Sequence, residues 1–85
     1  MPELQGVFIR NLKRCRTEAG MTQFALAESS SMSPGYIAEL ESGRKLPSLD
    51  ALERLASALG VSACRLLAEE AETMALARLR QPYLL

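Results

Sequence analysis

The chain has 85 residues, of which 48% are hydrophobic, and its ten basic residues balance ten acidic ones. This length supports one small core, and the few glycines and prolines favour a compact helical domain over a disordered tail. The absence of histidine excludes the usual zinc spacings, and no apolar run approaches the ~20 residues that a membrane-spanning helix needs. We also expect no secretory signal, because the first residues do not resemble one. We therefore expect a cytoplasmic protein with free thiols and no metal, cofactor or membrane partner.

Charge is unevenly distributed along the chain despite its zero sum. Basic residues occur without acidic neighbours over residues 10–16 and again at residues 44–45, whereas acidic residues cluster over residues 69–72. This polarity is compatible with phosphate contact on one face of the protein. It is equally compatible with ordinary solvated helix faces, and both interpretations stay open.

Two helices are predicted on either side of Gly20, which ends the first. The first helix has four apolar positions at helical spacing, namely Phe8, Leu12, Cys15 and Ala19. The second begins at Thr22-Gln23, carries Leu26 as its large apolar group and runs to Ser29. Residues 29–31 are all serine, and their hydroxyls compete for backbone hydrogen bonds, so we expect a turn there.

A third helix is predicted directly after this serine turn. Ser33 is a suitable N-cap, Pro34 favours the first helical position, and Gly43 provides a C-terminal stop. Ile37 and Leu40 lie at helical spacing between them. Two helices joined by such a short turn cross steeply, so that the second can enter a DNA major groove while the first braces it. The pattern therefore predicts a DNA-binding helix-turn-helix.

Two further helical patterns follow. Ser48 caps a fourth helix that Gly60 ends, and its apolar stripe comprises Leu49, Leu52, Leu55, Ala56 and Leu59. A fifth helix starts at Ser62, includes Leu66 and Leu67, and continues in composition from Ala68 to Arg80 without a breaker. We predict an all-α fold with a helix-turn-helix domain over residues 1–68 and a C-terminal helical extension over residues 69–85.

Residues 8–68 resemble the lambda-repressor-like, Xre-type (Cro/CI) helix-turn-helix family of prokaryotic and phage transcription regulators. The matching positions are Arg16, Gly20-Met21-Thr22-Gln23, Leu26-Ala27, Ser33, Tyr36-Ile37, Leu40-Glu41, Gly43, Pro47-Ser48 and Leu59-Gly60-Val61-Ser62. The resemblance implies a compact five-helix, lambda-repressor-like domain. It also implies a DNA-binding transcriptional regulator, not an enzyme, that acts as a homodimer on a near-palindromic operator.

The resemblance also assigns roles to particular residues. Gln23 is similar to a family residue that contacts the DNA backbone, and Arg16 and Glu41 match a structural ion pair. Together with residues chosen for their placement beside the third helix, the predicted DNA-binding residues are Thr22, Gln23, Ser33, Pro34, Gly35, Tyr36, Ala38, Glu39, Ser42, Arg44 and Lys45. Glu39 has two open roles, acceptance from cytosine or a salt bridge to a neighbouring helix. The usual turn glycine is Ser31 here, which requires a left-handed serine or an adjusted turn.

The C-terminal extension has apolar positions beyond those that a five-helix core needs. The predicted dimer residues are Leu67, Ala71, Met74, Ala75 and Leu79. Folding back on the chain's own core is the alternative for this segment. A second function class also stays open: an interaction or antitoxin-type module that uses the acidic tail and Phe24 to bind another regulatory protein. Phage-repressor, restriction-modification controller and antitoxin roles all fit, and Cys64 is either an ordinary thiol or a redox-active one.

Overall fold

The computed structural model describes residues 2–69 and shows five helices there. Their bounds are α1 Pro2–Glu18, α2 Gln23–Ser30, α3 Pro34–Ser42, α4 Leu49–Leu59 and α5 Ala63–Leu67. Helix α1 packs against α3 and α5, α2 packs against α3 and α4, and α4 also packs against α5. The all-helical, five-helix fold predicted from the sequence is confirmed.

Hydroxyl side chains begin four of these helices. Thr22, Ser33, Ser48 and Ser62 each accept a hydrogen bond from the backbone N–H three residues later, at 3.0, 3.1, 3.0 and 3.2 Å. Such a cap contributes about 1 kcal/mol, because it satisfies an amide that has no partner within the helix. The predicted starts of α3, α4 and α5 therefore follow from local chemistry.

Left-handed residues end four of the helices. Gly20, Gly43 and Gly60 have φ values of 71°, 82° and 71°, as their predicted role as stops requires. Ser31 ends α2 with φ 59° and ψ 44°, and it is the one non-glycine residue with positive φ among residues 2–69. The turn thus keeps its left-handed geometry without glycine, at a cost of ~1 kcal/mol for the serine side chain.

The core lies where the five helices meet. Its fully buried large side chains are Leu12, Leu26, Ile37, Leu40, Leu55 and Leu66. Cys15 is buried beside them, as predicted, and burial raises the pKa of its thiol, which therefore stays protonated. Cys64 is exposed on α5.

Three details of the first four helices differ from the prediction. Leu49 is 81% exposed instead of forming part of the buried stripe of α4. The buried positions of that helix are centred about 90° away from Leu49 at 100° per residue. Ala19 follows the end of α1 and is exposed. Ser30 still belongs to α2, because its hydroxyl donates back to the carbonyl of Leu26 at 2.7 Å instead of breaking the helix.

The prediction of helix continuing through Ala68 is wrong. Helix α5 ends at Leu67, and Ala68 has the extended angles φ −100° and ψ 140°. The buried amide of Asn11 donates to the carbonyls of Arg65, Leu66 and Ala68 at 3.1, 3.1 and 2.8 Å. These contacts to α1 satisfy the terminal carbonyls of α5 without another helical turn. The predicted dimer residues Ala71, Met74, Ala75 and Leu79 lie outside the described residues.

Replacing Asn11 with Ala should therefore destabilise the domain by about 2 kcal/mol, because the α5 carbonyls lose a buried donor. Denaturant melts measure the difference directly. Lys13→Ala, an exposed change on the same helix, is the control and should stay within about 0.5 kcal/mol of the parent. Equal midpoints for the Asn11 variant and the parent would contradict this role.

Candidate nucleic-acid interface

Helix α3 has one buried and one exposed side. Ile37 and Leu40 are completely buried in the core, as predicted. Ser33, Pro34 and Gly35, at the N-terminal end, are exposed. The helix is therefore anchored along one side while its first turn projects from the protein.

Glu41 fixes the buried side of α3 to α1. Its carboxylate is only 4% exposed and receives two hydrogen bonds from Arg16, at 2.6 Å from Nε and 3.1 Å from Nη2. The third guanidinium nitrogen of Arg16 donates to the carbonyl of Met21 at 2.9 Å. The hydrogen bonds to Glu41 raise the pKa of Arg16, so the guanidinium remains charged. This bidentate geometry restricts both the distance and the rotation of α3.

Helix α2 joins the same ion pair through Gln23. The Gln23 amide donates from Nε2 to Oε1 of Glu41 at 3.0 Å. The sequence resemblance implied a DNA-backbone role for this residue but did not reveal the contact with Glu41. A primary amide carries two protons, so Gln23 can donate to Glu41 and to a phosphate at once.

Donor groups on the projecting surface are sparse. Thr22 and Ser33 are exposed, and their oxygens already accept the capping hydrogen bonds. Each hydroxyl still has its proton to donate. Pro34 and Gly35 offer no side-chain donor, and Ala38 offers only a methyl group at a half-buried position. The first turn of α3 therefore supports contact by shape and methyl groups more than by hydrogen bonds to bases.

Charged groups meet at the C-terminal end of α3. Lys45 Nζ lies 3.3 Å from Oε1 of Glu39 and 6.0 Å from the centre of the Tyr36 ring. Glu39 therefore forms an ion pair, but with the loop after its own helix and not with the neighbouring helix expected from the sequence. Arg44 is exposed and forms no ion pair within residues 2–69. The side chain of Ser42 donates to the carbonyl of Glu39 at 3.2 Å and is also exposed.

The loop that carries the two basic residues is held by hydrogen bonds at its start. The carbonyl of Glu39 accepts from the N–H groups of Arg44 and Lys45 at 2.9 and 3.3 Å. Gln5, on α1, donates from Nε2 to the carbonyl of Gly43 at 3.0 Å. No sequence pattern identified Gln5, because the contact joins residues that are distant along the chain. The loop positions Arg44 and Lys45 beside α3 before any ligand binds.

The remaining residues that the sequence singled out lie on α1 and α2, outside α3 and the loop that follows it. Within the basic run, Arg10, Lys13 and Arg14 are exposed, whereas Arg16 points into the ion pair. Phe24 is 60% exposed near the start of α2. In the described part of the chain, no group of three or more potential ligands could hold a metal ion. Over residues 2–69, none of the helices combines the length and apolar character needed to cross a membrane.

Comparisons with known proteins agree with this geometry. A family model of the helix-turn-helix domain matches residues 8–69. The immunity repressor protein of Bacillus phage phi105 is 39% identical over 61 residues, which cover 72% of this chain and 42% of the repressor. This chain thus spans less than half the length of that relative.

Two solved structures are similar over most of the chain. The clp gene regulator ClgR from Corynebacterium glutamicum is 39% identical with a TM-score of 0.73, covering 94% of this chain and 85% of ClgR. The hypothetical transcription factor NHTF from Neisseria is 32% identical with a TM-score of 0.80, covering 86% and 84% of the two chains. The chain belongs to this helix-turn-helix family. The relatives of this family named here are transcription regulators.

The Glu41 ion pair makes a double-mutant cycle informative. Glu41→Leu should cost ~3 kcal/mol, because it leaves the partly buried guanidinium of Arg16 without a counterion. Adding Arg16→Met should restore part of this loss. Recovery should be incomplete, since Gln23 also loses its acceptor. Denaturant melts of the parent, the two single variants and the double variant measure the coupling energy between the two residues. Strictly additive losses would show that this coupling energy is zero.

Proposed function

We propose that the protein is a homodimeric, sequence-specific transcription regulator that inserts α3 into the major groove of a near-palindromic operator. The observation that carries this proposal is the asymmetry of α3. Its inner side is fixed by Ile37, Leu40 and Glu41, and its first turn is exposed. A helix fixed in this way can meet a groove without rearranging the core. Its place of action would be the cytoplasm, where prokaryotic and phage operators are found.

Phosphate contacts would flank the groove contact on both sides of α3. The exposed N-termini of α2 and α3 present partial positive charge and the hydroxyl protons of Thr22 and Ser33. Gln23 lies beside the first of these caps, and Arg44 and Lys45 follow the end of α3. Base contacts would come from Ser33, Tyr36 and the methyl of Ala38, with Pro34 and Gly35 allowing close approach. Because Glu39 is paired with Lys45, its carboxylate would mainly orient that lysine.

The phosphate contacts are tested by salt dependence. Arg44→Ala should weaken binding to all DNA sequences similarly and reduce the slope of log affinity against log salt by about 1. Lys45→Ala should act in the same direction but less strongly, because Glu39 already neutralises part of its charge. Fluorescence anisotropy over a salt series measures both effects.

Arg65→Ala is the matched control, since it removes one positive charge from α5, where Arg65 faces Glu18 at 3.8 Å. Its slope should equal that of the parent protein. An unchanged slope for Arg44→Ala would remove this residue from the footprint.

The homodimer proposal is supported by an apolar groove at the end of the described chain. Leu67, the last residue of α5, lines this groove of about 240 Å³. Three other lining residues, Leu4, Leu46 and Leu49, are 48%, 68% and 81% exposed. Contiguous exposed apolar surface of this kind marks interaction sites. We propose that this groove and the extension that follows it, with Ala71, Met74, Ala75 and Leu79, form the dimer seam.

A single change in the groove should separate the dimer without unfolding the domain. Leu49→Asp places a charge in the proposed seam, yet position 49 is exposed and outside the core. We expect a lower sedimentation mass, weaker operator binding and a nearly unchanged helical circular dichroism spectrum.

Phe24→Asp makes a comparable apolar-to-acidic change on α2 and should keep the dimer mass. A chain that ends at Glu69 should behave like Leu49→Asp. It should lose the dimer species in sedimentation and bind the operator more weakly. If both the truncated chain and Leu49→Asp remain tight dimers, the seam lies elsewhere.

The exposed side chain of Phe24 supports a second candidate function. In it, the chain is an interaction or antitoxin-type module that binds another regulatory protein. The two functions differ in salt response. A regulator that contacts phosphates loses DNA affinity steeply as the salt concentration rises. A protein complex centred on an aromatic side chain does not lose affinity in this way. Selection of bound sequences from random DNA would identify the operator directly. It would also separate a specific repressor from a protein with only general DNA affinity.

A further inference from the structure

The turn between α2 and α3 leaves two carbonyl groups without the partners that a continuing helix would provide. The carbonyl of Ser30 would ordinarily accept from the N–H of residue 34, but that residue is Pro34 and has none. Ser31 has left-handed backbone angles, so its carbonyl does not continue the helical hydrogen-bond pattern of α2. This turn immediately precedes Ser33, the cap of α3. Its geometry therefore sets the direction in which α3 leaves α2.

Arg54, on α4, donates to both carbonyls. Its Nε lies 3.1 Å from the oxygen of Ser30, and its Nη2 lies 2.6 Å from the oxygen of Ser31. The remaining nitrogen, Nη1, lies 3.3 Å from Oδ2 of Asp50, one turn earlier on α4. Each of the three guanidinium nitrogens thus has a hydrogen-bond partner. A planar group with fixed donors restrains the two carbonyls together, which a lysine ammonium on a flexible stem does not.

We infer that Arg54 is a positioning residue for DNA recognition, which holds the serine turn in the left-handed geometry that directs α3. The inference rests on the proposed function of α3 for its DNA consequence, although the restraint itself is a property of the free protein. Left-handed serine is unfavourable relative to glycine, so the turn needs support from outside its own sequence. Arg54 supplies that support from a helix that does not itself belong to the helix-turn-helix.

The first experiment measures operator affinity and salt slope for Arg54→Met and for Arg54→Met combined with Ser31→Gly. The single variant should bind about tenfold more weakly, the loss expected when charge-assisted hydrogen bonds are removed. Glycine adopts the left-handed turn unaided, so the double variant should recover most of that affinity. The salt slope should match the parent in both variants, because Arg54 acts through the turn.

The second experiment needs no DNA and compares two similar helix ends in one protein. The amides of Ser31 and Met32 donate to Glu28 and Ala27 at 3.2 and 2.8 Å. The amides of Gly60 and Val61, at the end of α4, donate in the same pattern at 3.2 and 3.0 Å. Hydrogen exchange in Arg54→Met should accelerate by about tenfold at the first pair relative to the second, since only the first end loses a restraint.

Two variants separate the carbonyl contacts from the other roles of Arg54. Asp50→Asn removes the charge beside Nη1 and should leave turn exchange nearly unchanged. Arg54→Lys keeps the charge, and its exchange should resemble that of Arg54→Met more than that of the parent. Full protection in Arg54→Lys would show that charge alone suffices and would overturn the inference.

Three further results would also overturn it. One is unchanged turn exchange in Arg54→Met, and another is no recovery with glycine at position 31. The third is a salt slope lower by about 1 in Arg54→Met, which would make Arg54 a phosphate contact. If the parent protein binds no selected DNA, the proposed function fails, whereas the exchange experiment still decides whether Arg54 holds the turn.

Discussion

A buried carboxylate with its donors determines how the first three helices are arranged. Glu41 is almost inaccessible to solvent, and an unpaired charge at such a position would strongly disfavour folding. Arg16 from α1 and Gln23 from α2 supply its hydrogen bonds, so the carboxylate is satisfied only when all three helices have their native positions. Apolar packing tolerates small displacements, but a bidentate ion pair does not. The charged cluster therefore specifies one orientation of α3 where a purely apolar contact would permit several.

A related arrangement is found at the ends of α2, α3 and α5. Long polar side chains reach across to backbone carbonyls: Asn11 to the end of α5, Gln5 to the end of α3 and Arg54 to the end of α2. Each contact joins residues far apart in sequence. Helix ends are the places where carbonyls lack internal partners, so a donor from a neighbouring helix both satisfies them and fixes the spacing of the two elements. Small cores gain rigidity from such contacts at little cost in volume.

Local chemistry explains why much of this fold was predictable. Ser33 with Pro34 defines the start of α3, and Gly43 and Gly60 end α3 and α4, because caps and left-handed stops depend on a few adjacent residues. The buried face of α3 followed from its spacing. The exposure of Leu49 did not follow from its spacing. Periodicity shows which residues share a helix face, but it does not show which of them the neighbouring helices cover.

The end of α5 and the candidate site show the same limit. Extended Ala68 depends on Asn11, which is more than fifty positions away, and sequence composition contains no trace of that contact. For the site, the resemblance supplied candidate positions, including Gln23 and Glu39. Their hydrogen-bond partners depend on the way in which separate helices meet, so they became visible only in three dimensions.

The division of α3 into an anchored side and a projecting first turn has an evolutionary consequence. Residues 34 and 35 are exposed, and the cap that starts the helix belongs to Ser33. Mutations at these two positions can therefore accumulate without disturbing the cap, the buried carboxylate or the core. Under the proposed function, a lineage with this architecture would change its preferred DNA sequence in small steps while every intermediate remains folded. Duplicated copies could thus diverge quickly and cease to compete for each other's targets.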